Sequence, residues 1–407
     1  MSQKPHDRRT FIKTMAGSAV AWRPAIAGLF GAGQAVPARL DKGGMTYRRL
    51  GRTDLLVSEI SLGSSPLPDP DLLRAIVDRG VNYIDTSYNY DNGNAERQIG
   101  RLLKDVGRDK VRVATKFHVT PRDTPASIMA SVHGSLRRLE VDAIDILMIH
   151  GADTAGVLVD ERVLEAYERL KQEGAYRFRG LSCHANQDEV VRKAVDCGLY
   201  DMVQIGYNVF DIQETAREIE TYPDYLGASG IRGLLELAHS RGLGVIAMKT
   251  LKVGGRRQNL EKYRTGAVSL YQAMLKWVLN DPRITSAVTE ILNRQQMEED
   301  LGAAGAKLTA AERTTLRRCV RENGTDHCHG CAQCRRACPA GVATTDILRA
   351  LAYHESYGKT GQARAAYASL DSAERASACR DCGACEGACP YGVAVRSRIK
   401  EAGRILA

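Results

Sequence analysis

The chain has 407 residues, 44% of them hydrophobic and 26% charged, the composition of a soluble globular protein. That length exceeds one small core and implies a large domain plus a smaller module. Net charge is +9, but no basic run is interleaved with aromatics, which argues against nucleic acid; a basic surface suits an acidic electron-transfer partner.

Residues 1–38 carry Lys4, Arg8, Arg9, Lys13 and Arg23 against Asp7. Asp7-Arg-Arg-Thr-Phe-Ile-Lys13 resembles the twin-arginine export signal. The weakly apolar stretch from Thr14 to Phe30 is broken by Arg23 and Pro24 and is too short to span a bilayer. Small residues around Ala35 and Ala38 suit a cleavage site. The expectation is a signal peptide over 1–38, a periplasmic or exported protein and no integral membrane segment. The alternative is a basic tail on a cytoplasmic protein.

From Met45 the pattern becomes regular. Two apolar segments around Gly51 and Asp54 predict a hairpin. Eight short apolar runs follow, each succeeded by a helix-period segment: Glu59–Leu62, Val81–Thr86, Val111–Phe117, Ile144–His150, Arg177–His184, Met202–Tyr207, Gly244–Thr250 and Ile284–Thr289. Ala126–Leu139 places Ile128, Met129, Val132, Leu136 and Leu139 on one face. Helices at Asp160–Gln172 and Leu234–Ser240 stop at Gly174 and Gly242. Eight such units over 45–305 predict an α/β fold, a closed (β/α)8 TIM barrel, whose chemistry sits at the C-terminal ends of its strands. An open doubly wound sheet is disfavoured, because no glycine-rich fingerprint follows the first strand.

Four reactive side chains fall at or just after those ends: Asp85, Tyr90, Lys116 and His150. Taken singly, each has an ordinary structural explanation; together they form a candidate catalytic set. The segments Arg49–Ser58, Asp85-Thr-Ser-Tyr-Asn-Tyr90 with Gly93-Asn-Ala-Glu96, Ala114-Thr-Lys116 and Asp145–His150 resemble the aldo-keto reductases. The resemblance implies that Tyr90 is the general acid for a carbonyl oxygen. Lys116, paired with Asp85, would lower the tyrosine pKa, and His150 would orient the carbonyl.

The same resemblance implies an NAD(P) site. Ser182 and Gln204 match carboxamide-binding positions, and Met248 stands where many members stack a tyrosine on nicotinamide. Lys249, Leu251 and Gly254-Gly255 match the pyrophosphate loop, while Arg294, Gln296 and Asp300 match adenosine-side positions. The turn after the eighth run departs from the pattern. Glu290 replaces the usual glycine, and a carboxylate about 4 Å from a phosphate costs roughly 4 kcal/mol at an effective dielectric near 20.

The last part, 315–407, holds the strongest motif. Cys328, Cys331, Cys334 and Cys338-Pro339 repeat the spacing of Cys379, Cys382, Cys385 and Cys389-Pro390. This is the bacterial ferredoxin pattern, in which three cysteines of one motif and the fourth of the other hold one 4Fe-4S cluster. Structural zinc uses two separated pairs instead. Two 4Fe-4S clusters are therefore expected, one on Cys328, Cys331, Cys334 and Cys389, the other on Cys379, Cys382, Cys385 and Cys338. Cys183, Cys197 and Cys319 are not expected to be ligands. Between the motifs, Thr344-Thr345-Asp346 predicts a capped helix carrying Ile347, Leu348, Leu351 and Tyr353. Leu370–Glu374 predicts a second helix start with a capping box. The expected module is small, mostly helical and ferredoxin-like.

The functional expectation is an oxidoreductase that interconverts a small carbonyl and an alcohol while its clusters exchange electrons with an external protein. Hydride moves two electrons together and clusters move one, so a retained nicotinamide or a further electron-splitting cofactor is implied. The alternative is an electron-transfer protein whose barrel is a docking scaffold. A third reading makes the clusters purely structural.

Overall fold

The computed structural model describes residues 37–211, 230–251, 260–264, 266, 269–323 and 327–407. The twin-arginine segment and Gly254-Gly255 lie outside the described residues.

Three antiparallel strands come first: β1 (Arg39–Lys42), β2 (Met45–Arg49) and β3 (Leu56–Ser58). The β2–β3 pair is the hairpin expected from sequence; β1 extends it. Eight parallel strands then close a barrel. They are β4 (Ile60–Gly63), β5 (Tyr83–Asp85), β6 (Arg112–Phe117), β7 (Ile144–His150), β8 (Tyr176–Cys183), β9 (Met202–Gly206), β10 (Gly244–Met248) and β11 (Ser286–Thr289). Each of the eight apolar runs became one strand. Closure is made by β11 pairing with β4 through Ala287–Ile60 and Thr289–Leu62.

The strands are nearly continuous apolar runs because both faces are buried, one by the barrel interior and one by helices. Tyr83, Ala114, Ile146, Met148, Met202 and Ile246 fill the interior, and Leu50, Leu55 and Val57 of the hairpin plug its bottom. Arg177 pins that plug, reaching Asp54 at 3.0 Å and Asp145 at 3.2 Å. Local signals set the helix starts. Asp69 caps Pro70–Asp78, Thr124 and Ser127 form a capping box on Pro125–Leu139, and Asp160 caps Glu161–Gln172. Fully buried Ile, Leu and Val side chains of this core each contribute about 1.5–3 kcal/mol.

Helix Ala310–Asn323 leads out of the barrel and stays packed on it, with Lys276 donating to Glu312 at 2.7 Å. The tail is helical, with Thr344–Glu355, Thr360–Ala368 and Val395–Leu406 as its longer helices and one-turn helices at Gln333–Arg336 and Ala384–Gly387. Ile347, Leu351, Tyr367, Val395, Ile399 and Leu406 form its core around the cysteines.

Two local expectations were overturned. Thr344 and Thr345 do not cap their helix; they lie inside it, behind Ala343. The Thr344 hydroxyl instead donates to Cys334 Sγ at 3.1 Å. The Leu370–Glu374 segment forms only a 3-10 turn, Ser372–Glu374, without a side-chain cap. The helix there begins earlier, at Thr360. Among the described residues, no helix is long and apolar enough to cross a membrane.

Candidate active site and cysteine sites

The C-terminal ends of β5, β6 and β7 bring the four candidate catalytic residues to one cavity of roughly 1180 Å³. Asp85 ends β5 and Lys116 lies next to last in β6, both buried. Lys116 Nζ stands 2.7 Å from Asp85 Oδ1 and donates to the Thr86 carbonyl at 2.8 Å. It lies 5.1 Å from the centre of the Tyr90 ring. Tyr90 opens a 3-10 turn in which Asp91 and Asn92 both take left-handed backbone conformations, φ 48° and 52°. Two adjacent non-glycine residues there carry backbone strain, which fixes the tyrosine over the strand ends. His150 ends β7 and meets the Tyr90 ring edge-on, with centroids 5.8 Å apart.

Burial raises the Tyr90 phenol well above its usual range, with the Asp85 charge and nearby Tyr353 acting in the same direction. The lowering expected from Lys116 is therefore absent. Asp85 already neutralises that ammonium, and desolvation of the phenolate dominates. The phenol stays protonated at neutral pH, as a proton donor must. Burial also holds Lys116 below its usual value, against the opposing pull of Asp85. His150 is held well below the usual imidazole range by burial, then by Lys116 and His118. It is therefore a neutral ring, with Nδ1 3.1 Å from Ser87 Oγ. His118 stacks on it at 4.2 Å and 19°.

The proposed nicotinamide residues divide. Ser182, Gln204, Met248, Lys249 and Leu251 line the cavity beside the catalytic group, as does Glu290. Ser182 and Met248 are buried at the C-terminal ends of β8 and β10, and Gln204 is buried midway along β9. Gln204 Oε1 is buried without a hydrogen-bond partner, so an acceptor awaits a donor such as a carboxamide NH2. These strand polar groups thus fit a nicotinamide carboxamide. The adenosine-side positions are not brought to the cavity. Arg294 is exposed at the start of helix Arg294–Leu301. Gln296 is turned onto its own helix, accepting from Leu292 N at 2.7 Å, and Asp300 is fully buried.

The eight cysteines form two groups across the two motifs. Burial, with the neighbouring Cys334, Cys331 and Cys389 acting in the same direction, pushes the Cys328 thiol up to about 12. Cys338, Cys379, Cys382 and Cys385 line a second small cavity. Each group offers four cysteine sulfurs, a donor set that suits iron. Among the described residues, no three such side chains converge on a single ion. A four-iron cube instead sets each thiolate on its own iron, so its ligands stand apart. Gly330 N donates to Cys328 Sγ at 3.4 Å and Asp381 N to Cys379 Sγ at 3.5 Å. Such bonds to sulfur tune cluster potential. Cys183 donates to the Ala185 carbonyl at 2.8 Å, and Cys319 is buried in Ala310–Asn323.

Sequence reading missed the residues that the tail adds to the cavity. Arg349, Tyr353 and Tyr357 line it together with 358–362. Arg349 is an ordinary helix arginine by sequence, and Tyr353 reads as part of an apolar face. No local signal marks either as a barrel residue.

Comparison with known proteins agrees with this geometry. The Aldo/keto reductase family model matches residues 69–267, and the 4Fe-4S dicluster domain model matches 327–394. An uncharacterized oxidoreductase of Bacillus subtilis (strain 168) is 27% identical over 293 residues, spanning 66% of this chain and 94% of its own. The NADH-specific methylglyoxal reductase of Escherichia coli (strain K12) is 27% identical over 321 residues, spanning 66% and 96%. The holo form of an aldo-keto reductase from Bacillus halodurans superposes with TM-score 0.51 at 24% identity, covering 67% of this chain and 96% of that one. Residues 69–267 thus match the aldo/keto reductase family and residues 327–394 the 4Fe-4S dicluster domain, and the chain is an aldo-keto reductase-like oxidoreductase.

Proposed function

We propose that the protein interconverts a small carbonyl and its alcohol at Tyr90, coupled through two 4Fe-4S clusters to an external electron-transfer protein. The observation that carries this is the Asp85–Lys116–Tyr90–His150 group at the barrel mouth, in one cavity with side chains from the cysteine-rich tail. Tyr90 holds the proton given to the carbonyl oxygen. Lys116, fixed by Asp85 and the Thr86 carbonyl, places positive charge beside the developing oxyanion. Neutral His150 orients the carbonyl. Ser182 and Gln204 would hold a nicotinamide carboxamide, with Met248 against the ring. When bound, NAD(P) supplies hydride chemistry and the clusters supply single electrons.

The grouping of Cys328 with Cys331, Cys334 and Cys389, and of Cys338 with Cys379, Cys382 and Cys385, supports two clusters. A position outside the cytoplasm, reached by the twin-arginine route, is part of the same reading; it rests on residues 7–13 and on the need to export such a protein already loaded. The E. coli relative's methylglyoxal activity makes methylglyoxal a reasonable first probe.

The test is anaerobic purification with iron, sulfide and bound-nucleotide counts. Methylglyoxal reduction is then assayed with NADH, NADPH or reduced methyl viologen as donor. About eight irons and eight sulfides are expected for two 4Fe-4S clusters. Tyr90→Phe should lower carbonyl turnover by about 100-fold or more while dithionite still reduces the clusters. If Tyr90→Phe turns over as wild type does, the barrel is a docking scaffold. Fractionation of the native host, following the chain before and after loss of residues 1–38, tests export.

A further inference from the structure

The two cysteine groups differ in what surrounds them. The loop that carries Cys328 is seated on the barrel. Asn186 N donates to the Gly330 carbonyl at 2.9 Å, and Arg336 Nη1 donates to Asn186 Oδ1 at 3.0 Å. His327 meets Phe210, in the turn Val209–Asp211 after β9, edge-on at 5.9 Å. These contacts fall on the loops after β8 and β9, the strands that carry Ser182 and Gln204. Cys328 and Gly330 line a narrow cavity of roughly 50 Å³ with His184, Lys249 and Arg349, and those last three also line the candidate active-site cavity. His184 is two residues beyond Ser182, and two residues of chain reach at most about 7 Å.

The other group has no such neighbours. Among the described residues, the cavity lined by Cys338, Cys379, Cys382 and Cys385 is walled by the tail alone. Of the eight cysteines, Cys382 alone is exposed. Arg380, two residues before it, is also exposed, and among the described residues it has no ion-pair partner. Arg396 and Lys400 pair with Asp381. Residues 379–407 hold five basic side chains against three acidic ones. A positive face of this kind steers an acidic partner and raises its rate of encounter. Electron tunnelling falls off steeply with distance, so neighbours decide which cluster serves which side.

Resting on the two-cluster, carrier-coupled reading above, we propose an order for the clusters and a face where electrons enter. The cluster on Cys338, Cys379, Cys382 and Cys385 is the outer one. The surface around Cys382 and Arg380 docks a small one-electron carrier protein with an acidic face. The cluster on Cys328, Cys331, Cys334 and Cys389 is the inner one, beside the barrel site. In the reducing direction each docked carrier is oxidised by one electron as the outer cluster is reduced. The outer cluster is reoxidised as it reduces the inner one. Two encounters leave one electron on each cluster, and these transfers break no bond and move no proton.

The test uses the anaerobic full-length holoprotein. Stopped-flow absorbance follows cluster reduction by reduced plant-type ferredoxin, chosen as an acidic one-electron carrier. Arg380→Glu should lower the second-order rate by about tenfold at low salt and by less than about twofold at high salt, where screening acts. Arg97→Glu makes the same charge change on the exposed surface of barrel helix Asn94–Val106. It should stay within about twofold of wild type. Dithionite should reduce all three proteins alike. Equal losses in both variants, no loss in Arg380→Glu, or no reduction of wild type by the carrier overturns the entry face.

Electron paramagnetic resonance tests the order. Thr345→Val removes a hydroxyl 3.8 Å from Cys334 Sγ and so marks the inner cluster by a change in its signal. Cys331→Ser, which offers that cluster an oxygen ligand, supplies the mark if Thr345→Val moves neither signal. A soluble dysprosium chelate should speed spin relaxation of the unmarked cluster more than of the marked one. Equal or reversed relaxation overturns the order. None of these readouts requires carbonyl turnover, so failure of the carbonyl reading is a separate result. An iron count near zero would instead remove both the clusters and the proposal.

Discussion

Arg349, in the helix between the two cysteine motifs, forms an ion pair with Asp153, in the loop that follows the fourth barrel strand. Asp153 does more than hold an arginine. Its Oδ1 accepts from the backbone of His184 at 2.7 Å and of Ala185 at 3.0 Å. One carboxylate thus shapes the loop after β8 and fastens the dicluster module over it. The module is thus a wall of the candidate active-site cavity.

Asp153→Ala leaves two backbone N–H groups without their acceptor and the Arg349 guanidinium with Asp346 alone. We expect a loss of about 2–4 kcal/mol in stability, measured by anaerobic denaturant unfolding of the holoprotein. Faster proteolytic release of the tail should accompany it. A midpoint equal to wild type would mean that the two parts are joined by other contacts.

Gly330 sits between two cluster cysteines at φ +73°, and a Cβ there would lie 2.7 Å from the His184 carbonyl oxygen. Asn186 N also donates to the Gly330 carbonyl at 2.9 Å. Gly330→Ala meets both a strained backbone and a backbone clash, so a loss of about 1–3 kcal/mol is expected. Cluster loading should drop as well, because the clash displaces the backbone amide that donates to Cys328 Sγ. Iron counts and thermal unfolding check both effects together.

The pH dependence of carbonyl reduction follows from two shifts of opposite sign. Tyr90 is raised well above 10, so the phenol stays protonated as pH climbs. His150 is held well below 6.5, so its ring stays neutral as pH falls. Neither group changes state between about pH 7 and 10. The kcat/KM for reduction should be flat through neutral pH and fall on the alkaline side as Lys116, held below its usual value by burial, loses its proton. A sigmoid centred near pH 6.5 would show that His150 titrates normally.

The two cysteine groups should respond differently to loss of one ligand. Cys334 receives the Thr344 hydroxyl and so adjoins the helix that lines the cavity. Cys382 is exposed. Each Cys→Ser variant should lose up to about half of the iron. Only Cys334→Ser should also raise KM for the carbonyl, because it loosens that helix. Kinetic parameters set beside iron counts for the two variants separate these outcomes.

Much of this was legible in one dimension. A parallel strand buried on both faces must be a short apolar run, and eight such runs with intervening helical patterns leave few folds but a closed barrel. Cysteine ligands to a cluster must recur at tight, fixed spacing, because one loop has to present three thiolates to one cube. Asp85, Tyr90, Lys116 and His150 were readable because strand ends of a barrel converge. The hydroxyls of Thr344 and Thr345 were misread, because a local pattern cannot reveal that a sulfur ten residues away offers a better partner than the helix's own N–H groups.

By itself the sequence determined the barrel and the repeated cysteine motif, since each rests on periodicity or spacing, and it pointed to the candidate catalytic group through its place at predicted strand ends. Only the tertiary structure decided what covers the barrel mouth. Arg349 and Tyr353 reach the site through packing between segments some 200 residues apart, and Arg349–Asp153 is separated by 196 positions. The direction of the Tyr90 shift was likewise a tertiary outcome: Lys116 alone would lower it, but burial and the matched charge of Asp85 reverse the sign.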